Sequence, residues 1–353
     1  MRNIIIILFL SLPLLSVSAQ SKEERAYQIG TEAVKLMDKG QIQESIALLQ
    51  DARELDPKSF IYPYEIAYAL CLDKKYEEAL KILKKLEKHK EASDLLYQMM
   101  GNCYDYLGDS KEAVKTYERG LKKFPHSGCL YLELGNMQMA NGEEYDALSC
   151  FEKGIELEPA FPSNYYWAAK IYLNTEDEVW GMMYGELFMN LERNSKRTVE
   201  ISRLLYDTYK NEIKILNDST VSVSFCKYAE LSSDNAKLSF GTGIYEPILM
   251  MSLPDIKVID MNTLNKIRKN FLDIYYRKNL ENIYPNALMS YQKKVKDAGH
   301  IDAYNHWILM QGDTEGFLGW KSANENEWKS FMEWFSNNPI KLTSKNKFVK
   351  DQY

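Results

Sequence analysis

Five cysteines, at positions 71, 103, 129, 150 and 226, and the pair His300 and His306 are the residues whose types could support redox or metal chemistry. No two of the cysteines form a CxxC or another metal-ligand spacing. Their odd number leaves at least one thiol free or intermolecular if others pair. The alternative is that they fill small core sites, the commoner use of buried cysteine in a repeat array. His300 and His306 are six residues apart, which on one helix is about 600° of rotation and puts the rings on different faces. Gly241-Thr242-Gly243 begins a GxG, but Pro247 follows. No helix is expected to open there with an N-terminus for a phosphate. Walker, HExxH, GxSxG and zinc patterns are missing from the sequence. The expectation is therefore no catalytic residue, no metal and no cofactor. Tyr304, Trp307, Phe317, Trp320, Trp328, Phe331, Trp334 and Phe335 form an aromatic-rich stretch. Trp328, Phe331, Trp334 and Phe335 have helical spacing, so core packing is expected ahead of an aromatic ligand face.

The charge balance narrows the partners. The formal charge is −6, and removal of Arg2 with the first nineteen residues would make it −7. Phosphate binding needs a basic surface or stripe, so nucleic acid is not the expected partner. The lysine-rich stretch from Lys341 to Lys350 reads as a solvated tail. At the other end, Arg2 is followed by an apolar run from Ile4 to Leu15, the length of a signal h-region. Val17-Ser18-Ala19 supplies small residues for cleavage, with Gln20 as the new N-terminus. Residues 1–19 are therefore expected to be a cleaved signal peptide, and the protein to be exported, periplasmic or secreted. The run is too short to span a bilayer, and no later stretch is long and apolar enough. No integral membrane segment is expected after cleavage.

The elements that must position any site come from a repeat. Segments 26–59, 60–93, 94–127 and 128–161 align at an unbroken spacing of 34 residues, and a degenerate 162–195 continues the register. Small residues recur at position 8 (Ala33, Ala67, Gly101, Gly135, Ala169) and at position 20 (Ser45, Ala79, Ala113, Ala147, Gly181). There the two helices of one repeat must touch. Position 27 holds Ala52, Gly120 and Gly154, where the second helix meets the next first helix. Pro57, Pro125 and Pro159 at position 32 end the second helix. Gly40, Gly108 and Gly142 occupy the turn, where a left-handed conformation costs glycine little. Apolar Met100, Tyr104, Tyr117, Leu134 and Phe151 complete a buried stripe. The second segment departs with Lys74, Leu86 and Glu91, and the fifth with Phe188 and Arg193, as a terminal repeat would. Ile201, Leu204, Leu205, Thr208 and Tyr209 then read as a closing helix to about residue 210.

This pattern resembles the tetratricopeptide repeat, and the resemblance covers about half the chain. It implies a mainly α fold, a solenoid over 20–210, and binding of a protein or peptide. The family's concave face uses positions 2, 5, 9, 12 and 13 of each first helix. Carried over by register, the groove is Tyr27, Tyr64, Tyr68, Gln98, Asn102, Asp105, Tyr106, Asn136, Tyr166, Lys170 and Asn174. Some of these tyrosines are expected to pack on neighbouring helices instead. Family members that clamp a chaperone carboxylate carry Lys at position 5 and Asn at position 9 of the first repeat. This chain has Gly30 and Val34 there, and Lys170 is the only basic groove residue, so that clamp is not expected.

Residues 211–353 read as a small α+β or mostly helical module. Val221, Val223 and Phe225 alternate with serines as a strand over 220–225, and 237–240 and 245–253 are two further candidate strands. Thr263 is the expected N-cap of a helix through Leu280, with helices near 286–298, 301–311 and 325–337. The leading reading is an exported scaffold that holds a partner segment in its groove. The alternatives are an enzyme with its site in the C-terminal module and the repeats as a docking arm, and self-association through solenoid edges.

Overall fold

The computed structural model describes residues 21–217, 220–227, 238–253 and 256–353. The chain is mainly helical, with seventeen α-helices among the described residues and one two-stranded hairpin. Ten helices form five hairpins at the expected register: α1 (Lys22–Asp38) with α2 (Ile42–Leu55), α3 (Ile61–Leu72) with α4 (Tyr76–Leu86), α5 (Asp94–Tyr106) with α6 (Ser110–Lys123), α7 (Gly128–Ala140) with α8 (Glu144–Leu157), and α9 (Pro162–Tyr172) with α10 (Glu178–Leu191). The odd-numbered member of each hairpin is called its A helix. The chain divides into two compact units. The first is residues 21–92 with 102–108, and the second is 93–101 with the described residues from Asp109 onward.

The small residues act as expected. In the second unit, a Cβ on Gly101 would lie 2.1 Å from the Tyr117 ring, and one on Gly120 would meet Leu130 and Tyr97. Each glycine gives its space to a ring or branch from the facing helix. The turn glycines Gly40, Gly108 and Gly142 have φ of 79°, 80° and 78°. Lys74 occupies the same turn with φ 61°. Its N–H donates to the Cys71 carbonyl, and Lys75 N–H to that of Leu70, as Gly40 and Gln41 do to Met37 and Leu36. The turn geometry is thus kept while the residue is strained, since a left-handed side chain costs about 1–2 kcal/mol. Lys74→Gly is expected to raise the unfolding free energy by about 1 kcal/mol, partly offset by the looser unfolded chain. Urea denaturation followed by circular dichroism measures it, and a loss of stability would refute the strain.

The second unit continues through α11 (Lys196–Glu212), the hairpin β1 (Ile213–Asn217) and β2 (Thr220–Val223), α12 (Glu246–Met251), α13 (Met261–Arg277), α14 (Ala287–Asp297), α15 (Ile301–Leu309), α16 (Thr314–Ala323) and α17 (Glu325–Asn337). The strands pair antiparallel, with Ile213 opposite Val223 and Ile215 opposite Val221. One hydrophobic core runs from Ala147 to Val349, and the expected division near residue 210 falls inside this unit. α10 is buried along its whole length from Val179 to Asn190. Phe188 breaks the small-residue pattern there because the helix is enclosed on every side, a departure that the sequence reads as that of a terminal repeat.

Four sequence expectations are corrected here. Residues 245–251 are helical and not a strand: Phe240–Tyr245 is a π-helical turn that runs into α12, where Pro247 sits in the first turn, a position proline favours. Gly241 and Gly243 lie inside that turn against Cys226 and Leu238. Residue 237 lies outside the described residues, and Leu238 and Ser239 are not in a strand. Asp260, not Thr263, caps α13, with Thr263 completing the capping box, and the helix stops at Arg277. The lysine-rich end is no solvated tail. Leu342, Phe348 and Val349 are buried, and Phe348 packs on Tyr184 with ring centroids 5.6 Å apart. Lys347 pairs with Glu156 at 2.9 Å, and the Lys350 N–H donates to the Tyr184 hydroxyl. Apolar residues between the lysines dock the segment while the lysines stay at its edge.

Candidate functional site

In the first unit, Tyr27 on α1 is 70% exposed. Tyr64 and Tyr68 on α3 and Asn102 on α5 are half-buried, and Asp105 and Tyr106 end α5 exposed. Tyr64 stacks on Phe60 at 5.4 Å, and Tyr106 on Tyr76 at 4.9 Å. These rings are therefore held in place before any ligand arrives. Gly30 is covered by the Tyr62 ring, 2.9 Å from where a Cβ would stand. A longer side chain at that position would have to displace the ring.

In the second unit, Gln98 on α5 donates to Glu133 on α7 at 2.7 Å. The other oxygen of Glu133 accepts from Asn136 at 3.1 Å. The structure thus joins two groove residues chosen from the sequence through a third, Glu133, that the register had not singled out. All three side chains are half-buried.

Further along, Tyr166 is buried and its hydroxyl donates to Glu200 on α11 at 2.6 Å. Lys170 pairs with the same carboxylate at 2.8 Å and lies over the Tyr166 and Trp167 rings. Asn174 is exposed and donates to the Lys170 carbonyl. Burial alone would raise the Glu200 carboxyl, but hydrogen bonds from Lys170 and Tyr166 outweigh it and hold it below its ordinary range. Arg197 donates to Ser163, and both this contact and Tyr166–Glu200 span 34 residues. The helix that reads as a closing element thus takes the place of a sixth A helix, and a β-hairpin follows where its partner helix would be.

A second constellation lies in the C-terminal helices of this unit. Glu186 on α10 and Arg268 on α13, 4% and 8% exposed, form a two-pronged ion pair at 2.7 and 2.9 Å. Glu186 also accepts from Gln292 and Tyr304, and Arg268 donates to Asn305 and Tyr209. The adjoining cavity is about 20 Å³ and is lined also by Met182, Met183, Leu249 and Met289. That is room for about one water, and no substrate. A charge inside the apolar run of α10 was the available sequence signal. With its oxygens engaged by an arginine, an amide and a hydroxyl, Glu186 is built to fix helices to one another. Around it, Phe331 stacks on Phe335 at 5.0 Å, and Trp307 meets Phe335 at 4.7 Å, so this aromatic stretch is core. His306 stacks on Trp320 at 4.1 Å, and His300 lies against Trp334 at 5.4 Å. Among the described residues, no three His, Cys, Asp or Glu converge as a metal site would need. No helix among them is long and apolar enough to cross a membrane.

Two models of the tetratricopeptide repeat match the chain, one over residues 31–94 and one over 95–122. No curated protein matches it. Among solved structures, a thermophilic tetratricopeptide protein of Thermus thermophilus is 17% identical with a TM-score of 0.43, covering 51% of this chain and 98% of that one. MamA is 18% identical with a TM-score of 0.36, over 48% of this chain and 92% of its own. YrrB, described as having an unusual peptide-binding site, is 19% identical with a TM-score of 0.33, over 49% and 89%. The matched models fall on helix pairs whose glycines accept facing rings and whose turns repeat one geometry, and residues 31–122 of the chain are tetratricopeptide repeats.

Proposed function

We propose that this protein is an exported scaffold whose A-helix faces hold an extended segment of a partner protein. The observation that carries the reading is the Gln98–Glu133–Asn136 set. Two amides and a carboxylate sit half-exposed on successive A helices, fixed by their mutual bonds. Each amide keeps donor and acceptor capacity beyond the bond it makes, which matches the alternating N–H and C=O groups of an extended backbone. Lys170 is neutralised by Glu200, so the face favours a neutral or mixed segment over a terminal carboxylate.

A displayed random-peptide library, selected on the purified protein, tests the face. Peptides enriched on the parent chain should lose about tenfold in affinity for Gln98→Ala with Asn136→Ala, the equivalent of about 1.4 kcal/mol. They should bind Tyr145→Ala unchanged, since that residue is exposed on α8 and is not part of the Gln98–Glu133–Asn136 set. Equal binding to all three proteins would refute the assignment. Export is tested separately by N-terminal sequencing of the protein from a bacterial host: Gln20 is the expected first residue, and a retained Met1 would refute cleavage.

A further inference from the structure

Cys71, in the last turn of α3, and Cys103, in the last turn of α5, lie in the first unit with their sulfurs 3.2 Å apart. We propose that these two thiols are an oxidisable pair that closes to a disulfide linking α3 to α5. They are at positions 12 and 10 of adjacent repeats, so the contact arises from the packing of consecutive A helices. Helix packing has already brought the sulfurs to within about 1.2 Å of the roughly 2.04 Å bonded distance. Small side-chain rotations close that gap.

The two sulfurs are unequal in a way that orders the reaction. Cys71 is half-buried and within reach of solvent, while Cys103 is 1% exposed. The hydrogen bond they share holds the Cys71 thiol below its ordinary value and pushes that of Cys103 up. Cys71 is thus the entry thiol and Cys103 the resolving one. The oxidant is an exchangeable disulfide, RSSR, either a small molecule or the active-site disulfide of a thiol oxidoreductase. The Cys71 thiolate attacks one sulfur of RSSR, the R–S–S–R bond breaks, and RS⁻ leaves and takes up a proton. Cys103 then loses its proton and attacks the Cys71 sulfur of the mixed disulfide, expelling the second RS⁻. The protein loses two protons and two electrons, and RSSR becomes two RSH.

The position gives the crosslink a consequence. It would fix the spacing of the two A helices that carry Tyr68 and Asn102, and the Tyr76–Tyr106 stack lies beside it. The proposal rests on the contact itself and holds whether or not the protein is exported. An oxidising compartment would make the crosslinked form the resting state.

The test uses the full chain, folded, equilibrated with glutathione disulfide, then denatured, alkylated with iodoacetamide and digested with trypsin. Peptides 59–74 and 91–111 should appear joined, two hydrogens lighter than their sum, and the alkylatable thiols should fall from five to three. The thermal midpoint should rise on oxidation, and the rise should vanish in Cys71→Ser while persisting in Cys129→Ser. Recovery of both peptides alkylated, or of Cys71 only as its glutathione adduct, would overturn the proposal. So would a joined pair other than Cys71–Cys103 as the main product.

Discussion

Arg268→Met is expected to lower the unfolding free energy of the second unit by about 3–5 kcal/mol, the usual cost of stripping one partner from a buried ion pair. The loss has named parts. Glu186 would be left at 4% exposure with only Gln292 and Tyr304 to meet it, and Asn305 and Tyr209 would each lose a bond. Methionine fills much of the arginine's volume beside Met182 and Met289, which keeps cavity formation from being the cause. Glu186→Leu in the same chain should recover only part of the stability. In simpler pairs an apolar replacement of both charges is often neutral. Here it would still strand Gln292, Asn305 and the hydroxyls that the pair now satisfies. All six tryptophans lie in this unit, so a urea titration followed by tryptophan fluorescence isolates its transition. A loss below about 1 kcal/mol would mean that solvent reaches the pair and that it behaves as a surface salt bridge.

The parts of this structure that were legible in the sequence are those that repeat. Gly101, Gly135, Gly120 and Gly154 are small because a neighbouring side chain occupies the space of their Cβ, and the 34-residue register exposes that need four times over. The same register puts Gln98 and Asn136 on A-helix faces, but Glu133 between them follows from packing across α5 and α7. Non-repeating features were harder to see. Glu186 and Arg268 are 82 residues apart, and no local pattern links them. Residues 245–253 read as a candidate strand, with no helix expected to open near Pro247, yet Glu246 accepts from the Phe225 and Cys226 N–H groups and anchors a helix start there. In the last thirteen residues, charge concealed Phe348 and Val349, which the core needs more than solvent needs the lysines.

Gly135→Ala separates packing from helix propensity most sharply, because the two pull in opposite directions. In a solvated helix the change stabilises by about 1 kcal/mol. At Gly135 the new methyl would stand 2.3, 2.7 and 2.8 Å from three atoms of the Phe151 ring. That ring is fully buried and stacks toward Trp167 at 6.3 Å, so it can yield only by moving the next A helix. Overpacking of this kind costs about 1–3 kcal/mol, and the net expectation is a loss of about 2 kcal/mol. Gly319, within α16, has nothing within 4 Å of its would-be Cβ. Gly319→Ala should therefore stabilise by about 0.5–1 kcal/mol. Phe151→Leu alone should destabilise, but combined with Gly135→Ala it should cost less than the two single losses added, since the smaller side chain makes room for the methyl. Strict additivity would show that the glycine and the ring do not compete for the same volume. In that case the glycine at position 8 would need another explanation than the approach of the two helices.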